Sequence, residues 1–193
     1  MKTLIVYAHP NPKSFTAAIA NTVAEQIKIN GGEIKIKDLY RSGFNPIMSG
    51  SDLQSIFSGN IPEDIKREQN DVAWANRLIM VYPIWWLDKP ALLKGWIDRV
   101  FVYGFAYTIN KTGIEGLLKH DMALTIQLAG SPQAAYESKN WNWALTPSLT
   151  DRAFDFCGIK NSKVHSLVGV GSSTPEQRQE WLREVTSIVR DWN

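Results

Sequence analysis

Five short apolar runs separated by helix-like segments constrain the fold of this chain more than any other feature. Thr3 to Tyr7, Ile34 to Lys37, Leu78 to Tyr82, Met122 to Leu128 and Val164 to Val170 are rich in apolar and often β-branched residues and are bounded by turn residues, the pattern of strands. Four of them are nearly continuous in apolar character and fit a sheet covered on both faces. Ile34-Lys35-Ile36-Lys37 alternates instead and fits an edge. Phe15 to Asn30, Glu63 to Ala75, Pro90 to Val100 and Pro147 to Gly158 read as helices, and Pro175 to Trp192 as a closing one. The last has the clearest start: Thr174 caps it, Pro175 occupies the first turn, and Gln177 completes a capping box. Such alternation predicts an α/β fold with a doubly wound, five-stranded parallel sheet in the order 2-1-3-4-5 and helices on both faces. With 193 residues, 44% of them hydrophobic, the chain can bury one core, and residues 1–193 are expected to form one domain. Tyr40 to Asn60 is a long connection with a short helix near Leu53 to Phe57, suited to the rim of a site or a subunit contact.

Charge and cysteine usage narrow the function. A formal net charge of +2 without any Lys/Arg-rich run argues against a nucleic-acid partner and for a small molecule. No signal-peptide pattern precedes Lys2-Thr3-Leu4-Ile5-Val6, and no apolar run approaches the ~20 residues that span a bilayer. One cysteine, Cys157, cannot form an internal disulfide and reads as a buried structural thiol. The expectation is a soluble, cytoplasmic protein that needs no metal.

Two loops carry the chemistry. After the third strand, Pro83-Ile84-Trp85-Trp86-Leu87-Asp88-Lys89-Pro90 combines two stiffening prolines with two indoles, at the place where open parallel sheets hold flat aromatic ligands. Rigid rings beside backbone N–H groups suit an isoalloxazine, which offers an apolar face and a hydrogen-bonding edge. After the first strand, Ala8-His9-Pro10-Asn11-Pro12-Lys13-Ser14-Phe15-Thr16 brings hydroxyls and free amides to a helix start, which binds phosphate. Ser14 as a mere N-cap and His9 as a polar strand end are the plainer readings. Neither Gly-x-Gly-x-x-Gly nor a Walker Gly-Lys-Ser/Thr follows the first strand, which disfavours a Rossmann dinucleotide domain or a P-loop enzyme.

The run Pro83-x-Trp85-Trp86-x4-Pro90-Ala91-x-Leu93-Lys94-Gly95-Trp96-x-Asp98-Arg99-Val100 resembles the flavodoxin-like NAD(P)H:quinone oxidoreductases. Tyr7-Ala8-His9-Pro10 with Ser14-Phe15, the segment Ile126 to Tyr136, and Phe156-Cys157-Gly158 before a strand carry the same resemblance. It implies a homodimer in which two subunits build each site, a bound FAD (with FMN as the alternative), NAD(P)H as electron donor, and a quinone or other electrophile as acceptor. It also implies that His9, Ser14, Phe15 and Thr16 hold the flavin's phosphate, that Pro83, Ile84, Trp85, Trp86 and Leu87 form the shelf, and that Gln127, Leu128, Ala129 and Gly130 let backbone approach the ring. Gln127 and Leu128 stand where threonines are more usual, and the histidine that some members place after Tyr136 is absent here. An adenosine tail would lie near Gly171 to Arg178.

The resemblance also implies that the Tyr136 hydroxyl reaches the ring's far edge, which makes it the catalytic candidate, because a donor there stabilises negative charge that grows only as the ring is reduced. Its plainer reading is a loop residue packed on Trp141 or Trp143. Trp141, Trp143, Phe105 and Tyr107 wall either a substrate slot or an interface; Trp96, at helical spacing with Leu92, Leu93 and Val100, reads as core. Asp98 and Arg99 are placed to pair, and the charges from Glu63 to Glu68 read as a solvated helix face. Two other functions share the resemblance. One is a regulatory flavoprotein subunit with a potassium-transporter partner; the other is a flavodoxin-like electron carrier, which fits poorly because such carriers are small and strongly acidic.

Overall fold

A computed structural model describes residues 1–145 and 149–191. The apolar runs form β1 (Lys2–Tyr7), β2 (Glu33–Asp38), β3 (Arg77–Pro83), β6 (Met122–Ala129) and β7 (Ser162–Val168), joined in one parallel sheet in the order β2-β1-β3-β6-β7. That is the expected 2-1-3-4-5 order, with the alternating Lys/Ile strand at an edge. Alternate residues feed two cores. On one face Ile5, Ile79, Val81, Leu124, Ile126 and Leu128 pack against α1 (Phe15–Ile29) and α7 (Pro175–Arg190). On the other, Leu4, Val6, Leu78, Met80 and Tyr82 meet α3 (Glu63–Trp74), α4 (Ala91–Val100) and α6 (Leu149–Phe156). Trp96 is the largest fully buried side chain there, as the helical spacing implied. Truncating such a ring typically costs about 3–5 kcal/mol.

Several expectations are corrected. The last strand ends at Val168 because Gly169 turns left-handed at φ 88°, and 170–172 continue as a 3-10 turn. A hairpin, β4 (Tyr107–Asn110) with β5 (Gly113–Gly116), and a six-residue helix α5 (Gln133–Ser138) lie where no regular element was expected. The short helix in the long connection is α2 (Gly50–Phe57), opened by a reciprocal capping box between Ser49 and Asp52. Thr174 does cap α7, accepting from the Gln177 N–H at 3.2 Å. The expected helix ends at Pro147 and Trp192 lie outside the described residues.

Charged residues also find other partners. Asp98 pairs with Lys94 at 2.7 Å, whereas the buried Arg99 reaches Asp64 at 2.6 Å and Asp52 at 3.2 Å, tying the 41–52 connection to α3 and α4. Glu68 is not on a solvated face: it is buried, accepts from the Trp96 indole at 2.8 Å and pairs with Lys37 at 2.9 Å. No helix among the described residues is long and apolar enough to cross a membrane.

The hairpin is clamped at its base. Leu117 N–H donates to Ala106 and Leu118 N–H to Cys157, both at 2.8 Å. A Cβ on Gly116 would lie 2.2 Å from the Gly158 nitrogen, so only glycine permits this approach. At the tip, Asn110 Oδ1 accepts from both the amide and the hydroxyl of Thr112, and the residues there are exposed.

Candidate active site

A cleft of about 320 Å³ opens at the C-terminal ends of the parallel strands, lined by His9, Ser14, Phe15, Thr16, Pro83, Ile84, Trp85, Leu128, Gly130, Val170, Gly171 and Arg178. This is where the order of the strands reverses around β1 and β3.

One end of the cleft is built for an anion. Ser14 caps α1, its hydroxyl accepting from Ala17 N–H at 3.2 Å. The next two amides, of Phe15 and Thr16, have no carbonyl to reach within the helix and sit at the positive end of its dipole. His9 Nδ1 faces its own loop, 3.1 Å from the Asn11 amide nitrogen and 3.2 Å from the Asn11 carbonyl. Arg178 enters from α7, its guanidinium 5.4 Å from the Phe15 ring and donating to Ser173 Oγ at 2.9 Å. Phe15 in turn leans on Trp181 at 5.9 Å. Arg41 braces the loop from outside, donating to the Pro10 carbonyl at 3.3 Å while paired with Asp38.

The other end is the aromatic shelf. Ile84 N–H continues the β3 ladder to Leu128 O at 2.8 Å. The chain then reverses in a tight turn closed by reciprocal bonds between Trp85 and Asp88, at 2.8 and 3.1 Å. Trp86 and Leu87 occupy its centre at φ 51° and 65°, a primed turn that normally selects glycine or asparagine. The left-handed conformation costs about 1–2 kcal/mol per residue. The bonds that close the turn use neither central amide. Asp88 anchors the turn through the adjacent Lys89, whose side chain has 0% exposure and whose ammonium lies 2.6 Å from Asp88 Oδ1. Burial alone would raise the Asp88 carboxyl, but the bonds from the Lys89 side chain and amide bring it below the usual value. Trp85 is partly exposed, 6.1 Å from the His9 ring, and Trp86 is 100% exposed.

Behind the shelf, Ile84 and Leu87 pack on Tyr136, Ala129, Ala144 and Leu145. Tyr136 is 4% exposed, yet its hydroxyl has no hydrogen-bond partner among the described residues. Burial pushes its pKa up, so it stays a proton-bearing donor at neutral pH.

The sequence-predicted residues are thus divided. His9, Ser14, Phe15, Thr16, Pro83, Ile84, Trp85, Leu128 and Gly130 converge on the cleft. Trp86 and Leu87 form the outer turn, Tyr136 lies behind Ile84, and Ala129 is wholly buried beside it. Gln127 points away from the cleft, bonded to Ser166 and Ala144. Phe105 and Tyr107 lie on a different surface, near Ile61 and Phe156 respectively. Val170 was expected in a strand and instead joins the lining. Gly171 and Arg178 line it too, from the segment expected to meet a tail.

A larger groove of about 900 Å³ runs beside β2 and α3 but holds none of the shelf. Its charges are largely matched internally, Lys35 and Lys37 with Asp71 and Arg41 with Asp38, so it presents no convergent donor set. The cleft does. Amides, His9 and Arg178 at one end and an apolar wall at the other fit a ligand that is anionic at one end and flat at the other. Gly130 keeps the wall low, since a Cβ there would meet nothing within 4 Å. Among the described residues no acidic, histidine or cysteine group is arranged to hold a metal.

Comparisons with known proteins agree with this geometry. The model of a family described by its flavodoxin-like fold matches residues 1–189. A Haemophilus influenzae protein named as an uncharacterized NAD(P)H oxidoreductase is 40% identical over 83% of this chain and 80% of its own. The mouse ribosyldihydronicotinamide dehydrogenase [quinone] is 31% identical over 98% of this chain and 93% of its own. Among solved structures, the NAD(P)H:quinone oxidoreductase from Methanothermobacter marburgensis superposes with a TM-score of 0.88 at 27% identity, covering 100% of this chain and 96% of that one. The phosphate-type helix start, the tryptophan shelf and these relatives together place the chain in the flavodoxin-like NAD(P)H:quinone oxidoreductase family.

Proposed function

We propose that this protein is a flavin-dependent NAD(P)H oxidoreductase that reduces quinones or related electrophiles by two electrons. The observation that carries the reading is the single cleft in which the α1 amides, Arg178 and the Trp85 shelf face one ligand-sized space. The quinone-reducing activity in the names of the mouse and archaeal relatives supports the acceptor class. A flavin held in the cleft would supply the two-electron chemistry that links NAD(P)H to the acceptor.

The chain's own part is binding and electrostatics. Phe15 and Thr16 amides, the Ser14 hydroxyl and His9 hold the phosphate; Pro83, Ile84 and Trp85 seat the ring; Leu128 and Gly130 leave room for its edge. Tyr136 keeps a donor for charge that develops on reduction. Trp86, held fully exposed at a strained φ, is placed to meet the acceptor or a second subunit. FAD is favoured over FMN because Arg178, already oriented by Phe15 and Ser173, extends the donor set toward α7, beyond the helix start that one phosphate needs. A homodimer is supported by an aromatic row outside the cleft, in which the exposed Phe57 and Phe156 flank the half-buried Tyr103 and Tyr107, successive rings lying 5.0 to 6.1 Å apart.

The test is direct. Apoprotein given FAD or FMN should show bound-flavin absorbance that bleaches with NAD(P)H under anaerobic conditions and recovers on adding a quinone. A protein that takes up neither flavin at micromolar concentration refutes the reading.

A further inference from the structure

We infer that Gln127 and Ser166 are positioning residues that fix the 141–145 strap against the shelf, and that the strap they hold determines which acceptors the site takes. The inference rests on the proposed function for its second half and on the hydrogen bonds for its first.

Tyr82, Gln127 and Ser166 stand side by side on adjacent strands, Tyr82 in register with Gln127 and Gln127 with Ser166, on the face of the sheet away from α1 and α7. Gln127 is 1% exposed, and its amide is fully engaged. Its Nε2 donates to Ser166 Oγ at 2.7 Å and to the Ala144 carbonyl at 3.2 Å, and its Oε1 accepts from the Tyr82 hydroxyl at 3.3 Å. Ser166 Oγ then donates to the Leu145 carbonyl at 3.0 Å. Because the two carbonyls can only accept, the amide orientation and the hydroxyl direction are both fixed, and the donors run one way from the sheet into the strap.

The strap is thereby held by consecutive carbonyls at one end, and at the other by Trp141 N–H bonded to Tyr136 O at 2.7 Å. Between these anchors it presents Trp141 and Trp143, both exposed, and presses Ala144 onto Ile84 and Tyr136. A residue two bonds behind the shelf therefore sets how Ala144 bears on Ile84, which lines the cleft, and where the two exposed indoles of the strap stand. A smaller side chain at Gln127 could not span from β6 to the Ala144 carbonyl. A partly satisfied network would release the strap, since an orphaned buried amide or carbonyl costs more than a made bond contributes.

The experiment uses the flavin-loaded protein with Ser166→Ala, which removes one bond at the sheet edge, and Gln127→Met, which keeps volume and removes the donors. Amide exchange in 142–145 should speed by about fivefold or more in both, within what losing one ordinary hydrogen bond allows. The kcat/KM ratio for 1,4-naphthoquinone over 1,4-benzoquinone should shift by about fivefold, through KM, with flavin occupancy retained. Unchanged exchange overturns the anchoring. Faster exchange with an unmoved ratio, or an equal fall for both quinones, overturns the acceptor role. Failure of the proposed function would show in the wild-type protein, as no quinone turnover, and would remove the acceptor half; failure of this inference shows only in the variants.

Discussion

Replacing Tyr136 by phenylalanine tests the proposed donor by removing one atom. The hydroxyl bonds no described residue, so its removal orphans nothing among them. The stability change should stay within about 0.5 kcal/mol, the range of substitutions that break no partner. The ring itself remains, so Ile84, Ala129 and Ala144 keep their packing. If the hydroxyl stabilises charge that appears only on reduction, the reductive half-reaction should slow by ~100-fold, about 2.7 kcal/mol in the barrier. Water admitted to the site would lessen the loss. Since burial raises the phenol above its ordinary value of 10.0, the wild-type reduction rate should show no loss from Tyr136 ionisation below pH 10. Anaerobic stopped-flow reduction by NAD(P)H, with flavin content measured beside it, reads both halves. An unchanged rate at full occupancy refutes the catalytic assignment. Loss of flavin instead makes Tyr136 a binding residue.

Trp86→Asn should relieve a left-handed φ at a fully exposed position, stabilising by up to about 1 kcal/mol and raising Tm by ~2–4 °C, while raising KM for quinones; calorimetry and steady-state kinetics check the two effects, and an unmoved Tm contradicts the strain. Acid should destabilise the fold late. Burial raises the Asp52 and Asp71 carboxyls, but bonds from Ser49 and Arg99, and from Lys35 and Lys37, bring them below 3.8. Their contribution is therefore complete above that pH and is lost as pH falls through the lower folded values, so Tm should hold from pH 7 to about 5 and drop below 4, less steeply in Asp52→Asn. Cys157, pushed up to about 12 by burial, should not react with a disulfide reagent at pH 8 until denaturant opens the fold. Light scattering should give a dimer mass for the wild type and a monomer for Phe57→Glu; a wild-type monomer at every concentration removes the subunit proposal.

The sheet was legible because each strand is contiguous and its apolar character needs no partner to be read. The β4–β5 hairpin was not, since its strands are four residues each, contain Gly113 and Gly116, and owe their place to contacts with Ala106 and Cys157. The same division holds at the site. The 9–16 and 83–87 loops are local stretches at strand ends, readable from composition. In 127–130 the period of two could have shown that consecutive residues cannot all face one cleft: Leu128 and Gly130 line it, whereas Gln127 and Ala129 point behind. Val170 reaches the lining only because Gly169 turns the chain, and Arg178 because α7 packs on α1. Arg99 found Asp52 and Asp64, far away in sequence, rather than its neighbour Asp98.

The hairpin clamped at its base and open at its tip marks out a place for engineering. Between Asn110 and Gly113 the backbone turns in solvent, and its local bonds are those of Asn110 with Thr112 and Glu115. Extra residues placed there would pay only a slowly growing loop-closure entropy. The same insertion at Gly116 would drive side chains into Gly158 and lift the strand from α6. A fluorophore or affinity tag at 111–112 would thus report on the protein from a rigid arm that neither the cleft nor the parallel sheet depends on.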